Sequence, residues 1–263
     1  VIDGLTRPKL AAPVKYLDIA LGSGFYVRKL IGDKFMSLVF SSVGTPSVAI
    51  EGSEDRYPAR RLYCIGQNYA EHAREMGYNP DREPPCFFMK PADSLLPSGE
   101  DFPYPPATND VHHEIELVVA LGKEGHDISP DDALDYIYGY AVGLDMTRRD
   151  LQGQAKEARF PWETGKSFDN CAPIAPIVPA AKIGHPTEGR IWLDVNGEAR
   201  QEGDINQLIW DIPETISYLS KQYTLMPGDL IFTGTPAGVG PINKGETMEG
   251  GIEGVGTIQI AVV

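Results

Sequence analysis

From Arg61 onward the chain is broken into short runs of β-branched and aromatic residues by frequent prolines and glycines, and this punctuation limits the fold more than any other feature. With 28 Gly and 22 Pro among 263 residues, long helices have little uninterrupted sequence on which to form. The runs suit strands, because branched and aromatic side chains pack well on a pleated surface. The pattern predicts strands over residues 62–65, 86–89, 115–121, 138–144, 191–195, 230–233 and 257–263. Helices are expected at 69–76, 146–156 and 213–222, the last opened by Pro213 at its first position. Strands and helices do not alternate as in a βαβ fold, so the fold class is α+β, mostly β, with peripheral helices. Residues 1–60 lack a strong period and end in the polar stretch Glu51-Gly-Ser-Glu-Asp-Arg56. They read as an N-terminal appendage to a working domain over 61–263.

Charge narrows the partners. With 37 acidic against 23 basic side chains the net charge is -14, which opposes sequence-independent attraction to nucleic acid or anionic lipid. A small molecule is the expected partner, with no nucleic acid and no membrane. Cys64, Cys86 and Cys171 are odd in number and widely spaced, which indicates neither a disulfide framework nor a structural zinc site. Charged residues interrupt the first 35 positions, and no later run approaches membrane-spanning length. A soluble protein of the reducing cytoplasm is the expectation.

The most informative stretch is His112-His-Glu-Ile-Glu-Leu-Val-Val119. On a strand, residues two apart face the same side, so Glu114 and Glu116 point together while Ile115 and Leu117 face the core. Adjacent carboxylates repel or take up protons unless a cation joins them. A third carboxylate, Asp145, ends the apolar run Tyr140-Ala-Val-Gly-Leu144, at a strand's mouth. Three hard oxygen ligands suit Mg²⁺ or Mn²⁺. A half-exposed strand with solvated glutamates fits the same pattern equally well. His112 and His113 read as packing or supporting groups rather than ligands.

Other groups could complete such a site. His72 and Glu75 lie three apart on the helix expected at 69–76, so a carboxylate can orient an imidazole as a water-activating base. An ordinary charged helix surface would look the same. Arg148, Arg149, Gln152 and Lys166 follow Asp145 and could bind an acidic substrate. The segment Gly234-Thr-Pro-Ala-Gly-Val-Gly240 lacks the Gly-Lys-Ser/Thr ending of a phosphate loop, which excludes nucleotide binding by that motif. It fits a tight turn, either purely structural or one that brings backbone N–H groups and Thr235 to a bound carboxylate.

Taken in order, these blocks resemble the fumarylacetoacetate hydrolase family, in its acylpyruvate and fumarylpyruvate hydrolase branch. The resemblance runs from about Arg61 to the C-terminus through Ile65-Gly-Gln-Asn-Tyr-Ala-Glu-His72 with Glu75, Phe88-Met-Lys-Pro91, His113-Glu-Ile-Glu116, Leu144-Asp-Met-Thr147, Gly165-Lys-Ser-Phe168, Val195-Asn-Gly197 and the Gly234–Gly240 segment. It implies a mixed β-sandwich roll of the family's C-terminal domain type, and a homodimer. It also implies that Glu114, Glu116 and Asp145 hold Mg²⁺ or Mn²⁺, that His72 and Glu75 form the dyad on a lid, and that Lys166 is catalytic. Arg149, Gln152 and Thr235 would then contact the substrate's carboxylate or oxo groups. The implied activity is metal-dependent hydrolysis of a carbon–carbon bond in an acylpyruvate, with fumarylpyruvate preferred. Decarboxylation or isomerisation of oxaloacetate or a related 2-oxo diacid is the nearest alternative, and a non-catalytic metal and 2-oxo acid binder is one of another class. Many relatives carry Gly-Arg-Asn-Tyr where this chain has Gly66-Gln67-Asn68-Tyr69, which removes an anion contact beside the lid.

Overall fold

In a computed structural model, residues 44–75, 84–97 and 99–263 are described, together with the strands Leu30–Ile31 and Lys34–Phe35. The chain forms two compact units, Val1–Gly44 and Thr45–Val263. In the first unit, the two short strands pair antiparallel. Apart from Gly44, the rest of that unit, and Met76 at the end of the first expected helix, lie outside the described residues.

The second unit takes in residues 45–60 together with the expected working domain over 61–263. Ser47–Ala49 pairs with Arg56–Pro58, and Val48 and Tyr57 are buried in the second unit. The Tyr57 hydroxyl accepts from the Gly228 N–H at 3.1 Å and lies 2.8 Å from the Leu121 carbonyl, tying this hairpin into the working domain. Strands this short each bury a single side chain, which leaves no period to read.

The second unit is α+β and mostly β. Its main sheet runs Cys86–Lys90, Leu62–Gly66, Leu230–Phe232, Ile115–Leu121, Ile137–Leu144, Ala172–Ile174, Leu95–Pro97, with Val178–Pro179 also on Ile137–Leu144. Leu62–Gly66 runs parallel to Leu230–Phe232, and Ala172–Ile174 parallel to Leu95–Pro97, so the sheet is mixed. Arg190–Val195, Glu198–Asp204, Thr247–Ile252 and Gly256–Ala261 form a separate antiparallel sheet.

The central strand Ile115–Leu121 is buried along its whole length. Ile115, Leu117, Val119 and Leu121 pack in a core with Ile191, Leu193, Ile258 and Ile260. Val118 and Ala120, on the opposite face, pack with Leu62, Ala141 and Phe232. The solvated-face reading is therefore wrong, because both faces of this strand are covered. Glu114 and Glu116 share their side with Val118 and Ala120 and are themselves buried.

Two helices differ in detail from the expectation. Thr147–Arg148 pairs with the strand Val111–His113, so the following helix starts at Arg149 rather than at 146 and ends at Ala158. The other, Ile212–Ser220, begins one residue before Pro213, and an Asp211–Glu214 capping box satisfies its N-terminus.

Gly143 lies opposite Glu116 and two residues before Asp145, at a closely packed point of the sheet. A Cβ placed there would stand 2.6 Å from Val118 Cγ2 and 2.7 Å from Phe232 Cε1. Gly143→Ala is expected to destabilise the protein by about 1–3 kcal/mol through overpacking, seen as a lower denaturant midpoint. An unchanged midpoint would show that the core yields there.

Candidate active site

Glu114 occupies the break between the strands Val111–His113 and Ile115–Leu121, and Asp145 follows the end of Ile137–Leu144. The Asp145 N–H donates to the Glu114 carbonyl at 2.8 Å, which fixes the two chain ends against each other. With Glu116 opposite Gly143, the three carboxylates converge, and one oxygen from each lies within 4.8 Å of the others. All three side chains are buried.

Such a cluster needs positive charge. Lys166, at the end of the short helix Glu163–Lys166, reaches Glu114 Oε2 at 2.8 Å and both Asp145 Oδ2 and Thr147 Oγ1 at 2.7 Å. Arg149 forms an ion pair with Glu114 and donates to Gln152 Oε1 at 2.7 Å. Lys90 is buried against the far side of Asp145, 2.8 Å from Oδ1, and donates to the Met146 and Lys166 carbonyls.

The charges are unevenly shared. Burial alone would favour the neutral acid at Glu114, but Lys166 and Arg149 outweigh it and hold its pKa well below the usual carboxylate range. Burial pushes Glu116 well above that range, reinforced by Asp145 and Glu114. Among the described residues no ion pair reaches Glu116, whose Oε2 accepts from the Gly234 N–H at 2.8 Å. Gly234 has φ +103°, and a Cβ there would meet Asn68 Cβ at 2.7 Å, so a side chain would push this donor away. Three buried hard oxygens, one without a cation, form a donor set that a divalent metal ion fits.

Across a narrow cleft from the carboxylates stands His72, on the helix Ala70–Glu75. Its Nδ1 lies 3.3 Å from Glu75 Oε2, and Glu75 in turn accepts from the Gly238 N–H at 3.2 Å. The glycine-rich segment therefore braces both the carboxylate cluster and the dyad. Burial lowers the His72 pKa below the ordinary imidazole value, although Glu114 and Glu75 favour its cation. Neutral His72 can accept a proton from a molecule in the cleft.

The cleft gathers His72, Lys166, Arg149, Gln152, Thr235 and the three acidic residues, while Glu75 stands behind His72 rather than on the wall. Gln67 also lines it, held at φ +60°. Such a backbone is uncommon outside glycine and is often kept at functional positions. Arg148 is absent from the lining: its guanidinium stacks over the Phe168 ring at 4.3 Å. The histidines have supporting roles. His113 Nδ1 lies 2.9 Å from Gln201 Oε1, and His112 lies between Asp110 and Arg149.

Two residues escaped the sequence reading. Lys90 ends an otherwise apolar strand within the Phe88-Met-Lys-Pro91 block, and a lysine in that setting signals a buried partner. Gln201 is the only fully buried residue of the charged strand Glu198–Asp204. Its amide accepts from Ile115 N–H and donates to Thr235 Oγ1 and the Pro236 carbonyl, locking the cluster to the glycine-rich segment.

Comparison with known proteins follows the same residues. The model of the fumarylacetoacetate (FAA) hydrolase C-terminal family matches residues 61–263. Mitochondrial oxaloacetate tautomerase FAHD1 of Mus musculus is 45% identical over 203 residues, 77% of this chain and 91% of that protein. Mitochondrial oxaloacetate decarboxylase of Dictyostelium discoideum is 43% identical over 199 residues, covering 75% and 91%. The crystal structure of fumarylpyruvate hydrolase from Pseudomonas aeruginosa, in complex with Mn²⁺ and pyruvate, superposes with TM-score 0.85 at 52% identity, covering 86% of this chain and 99% of that one.

Removing one partner of a buried ion pair leaves the other uncompensated. Lys90→Met is therefore expected to cost about 3–5 kcal/mol in unfolding experiments, more than a surface lysine could. For His72, NMR titration should give a midpoint below 6.5, and Glu75→Gln should move it lower still by removing a carboxylate that favours the cation. The folded state then binds fewer protons than the unfolded one, so the His72 contribution to stability declines as pH falls below about 6.5. A midpoint at or above the ordinary imidazole value would remove the neutral-base assignment.

Proposed function

Because this chain belongs to the fumarylacetoacetate hydrolase family, we propose that it hydrolyses a carbon–carbon bond in an acylpyruvate, with fumarylpyruvate as substrate and fumarate and pyruvate as products. The observation that carries this reading is the neutral, Glu75-braced His72 facing the three-carboxylate cluster across one cleft. A second support is the 52% identity to a fumarylpyruvate hydrolase solved with Mn²⁺ and pyruvate. The working form is taken as a homodimer in a reducing compartment such as the cytoplasm, which suits three free cysteines.

Glu114, Glu116 and Asp145 are the residues that would hold Mg²⁺ or Mn²⁺. When bound, the ion supplies Lewis-acid polarisation of the 2-oxo group and stabilisation of enolate charge. Arg149 and Gln152, fixed to each other, orient the pyruvyl carboxylate, and Thr235, held by Gln201, donates to the same end. His72 takes a proton from water as the water oxygen adds to the distal carbonyl. The bond between that carbon and the pyruvyl methylene then breaks, and its electron pair stays on the pyruvyl side as the enolate. Lys166, beside the Glu114 and Asp145 oxygens, is placed to meet that negative charge. Protonation of the enolate carbon completes pyruvate, so one water is consumed for each fumarate released.

The relatives named for oxaloacetate chemistry favour a second reading, in which the same site binds oxaloacetate and promotes tautomerisation or decarboxylation. That chemistry also passes through an enolate of a 2-oxo acid but requires no attacking water. No observation favours a non-catalytic binder.

Pyruvate formation from fumarylpyruvate, coupled to lactate dehydrogenase, separates these readings. Turnover is expected to require Mg²⁺ or Mn²⁺, to stop after chelation, and to fall by about 10²–10⁴-fold in His72→Ala. Matched release of fumarate and pyruvate supports hydrolysis. Rapid enol–keto conversion or CO₂ release from oxaloacetate, with no cleavage of fumarylpyruvate, would overturn it in favour of the second reading.

A further inference from the structure

One wall of the cleft is built as a graded series of charge and ring. The Lys166 ammonium lies 5.0 Å from the centre of the Phe88 ring, Phe88 lies 6.0 Å from Trp162, and the Lys156 ammonium stands 5.0 Å from the Trp162 ring. All four side chains line the cleft, so two cations are separated along it by two aromatic surfaces.

The helix Arg149–Ala158 sets the spacing. Arg149, Gln152 and Lys156 fall at i, i+3 and i+7, on one helix face, and all three line the cleft. Arg149 meets Glu114 at the carboxylate cluster, whereas Lys156 lies about 10 Å further along the helix axis. Side chains lean toward the helix N-terminus, which shortens that reach. An extended 2,4-dioxo diacid of seven carbons separates its carboxyl carbons by about 7–8 Å, but a four-carbon diacid by only about 4 Å.

We infer that Lys156 is a specificity-determining residue that binds the terminal carboxylate of an extended diacid, with Trp162 and Phe88 packing the planar unsaturated spacer between that carboxylate and the scissile carbonyl. This deepens the acylpyruvate reading and rests on it for the orientation of the substrate. Burial, then the charges of Arg149 and Lys166, lower the Lys156 pKa, while Glu114 and Cys86 oppose them. A four-carbon diacid bound at the cluster stops short of Lys156, so the wall favours long diacids over oxaloacetate.

The test compares kcat/KM for fumarylpyruvate and for acetylpyruvate, which lacks the terminal carboxylate. Lys156→Met is expected to reduce the preference for fumarylpyruvate by about 10–100-fold, mainly through KM, as loss of a charge-assisted hydrogen bond would. Lys156→Arg should restore most of the preference, and Lys244→Met, at an exposed position, should leave it where it is. Equal losses on both substrates, or no loss, would overturn the assignment. Calorimetric binding of fumarate and crotonate in saturating pyruvate, which occupies the cluster end, supplies a readout without turnover. The wild-type protein should prefer fumarate, and Lys156→Met should erase that preference. If the wild type cleaves neither acylpyruvate, the hydrolase reading fails, yet a Lys156-dependent preference for fumarate still supports a terminal-carboxylate site. Absence of that preference in the wild type overturns it.

Discussion

Three carboxylates, Glu114, Glu116 and Asp145, are brought together out of water, and the surrounding structure can be understood as the means of making that tolerable. An isolated buried carboxylate is costly, and neighbouring ones repel. Lys166 bridges two of them, Arg149 neutralises Glu114 from the cleft side, and Lys90 supports Asp145 from within the core. Among the described residues, Glu116 is hydrogen-bonded only by a backbone N–H, from Gly234. The imbalance at Glu116 is the clearest physical sign of a cation-binding site.

The fold provides the rigidity that such convergence needs. A strand buried on both faces cannot slip by one residue without sending carboxylates into an apolar core. That constraint fixes Glu114 and Glu116 relative to Val118 and Ala120, and the pairing of Glu116 with Gly143 fixes Asp145. Gln201 ties the cluster to the separate four-stranded sheet, so a residue distant in sequence holds both Ile115 and Thr235. The glycine-rich segment contacts Glu116 at one end and Glu75 at the other, coupling the metal-type donors to the dyad through one short stretch of backbone.

Much of this was legible in the sequence, for local reasons. Residues two apart on a strand and three apart on a helix must share a side, so Glu114 with Glu116 and His72 with Glu75 could be paired without any tertiary knowledge. The punctuation by Gly and Pro likewise exposed the main strands. What stayed hidden depends on tertiary packing. Burial of Ile115–Leu121 on both faces comes from sheets formed by distant segments, and local alternation cannot distinguish one covered face from two. Lys90 and Gln201 look like ordinary polar residues until their partners arrive from elsewhere in the chain. The short pair Ser47–Ala49 and Arg56–Pro58 was missed for the same reason, since Tyr57 is anchored by residues over sixty positions away.

Charge also explains how one cluster could serve related reactions while selecting among substrates. Lys90, Lys166 and Arg149 formally offset the three carboxylates, so a divalent ion would leave a surplus of two positive charges. A dianionic ligand restores the balance, and a diacid does so without burying an uncompensated charge. The cluster itself distinguishes poorly between long and short diacids, because it grips only the end they have in common. Selection by length must therefore arise further along the cleft, where Phe88 and Trp162 separate the inner ammonium from that of Lys156. On the proposed reading, chemistry and specificity would be held on different turns of the same helix, whose Arg149, Gln152 and Lys156 all line the cleft.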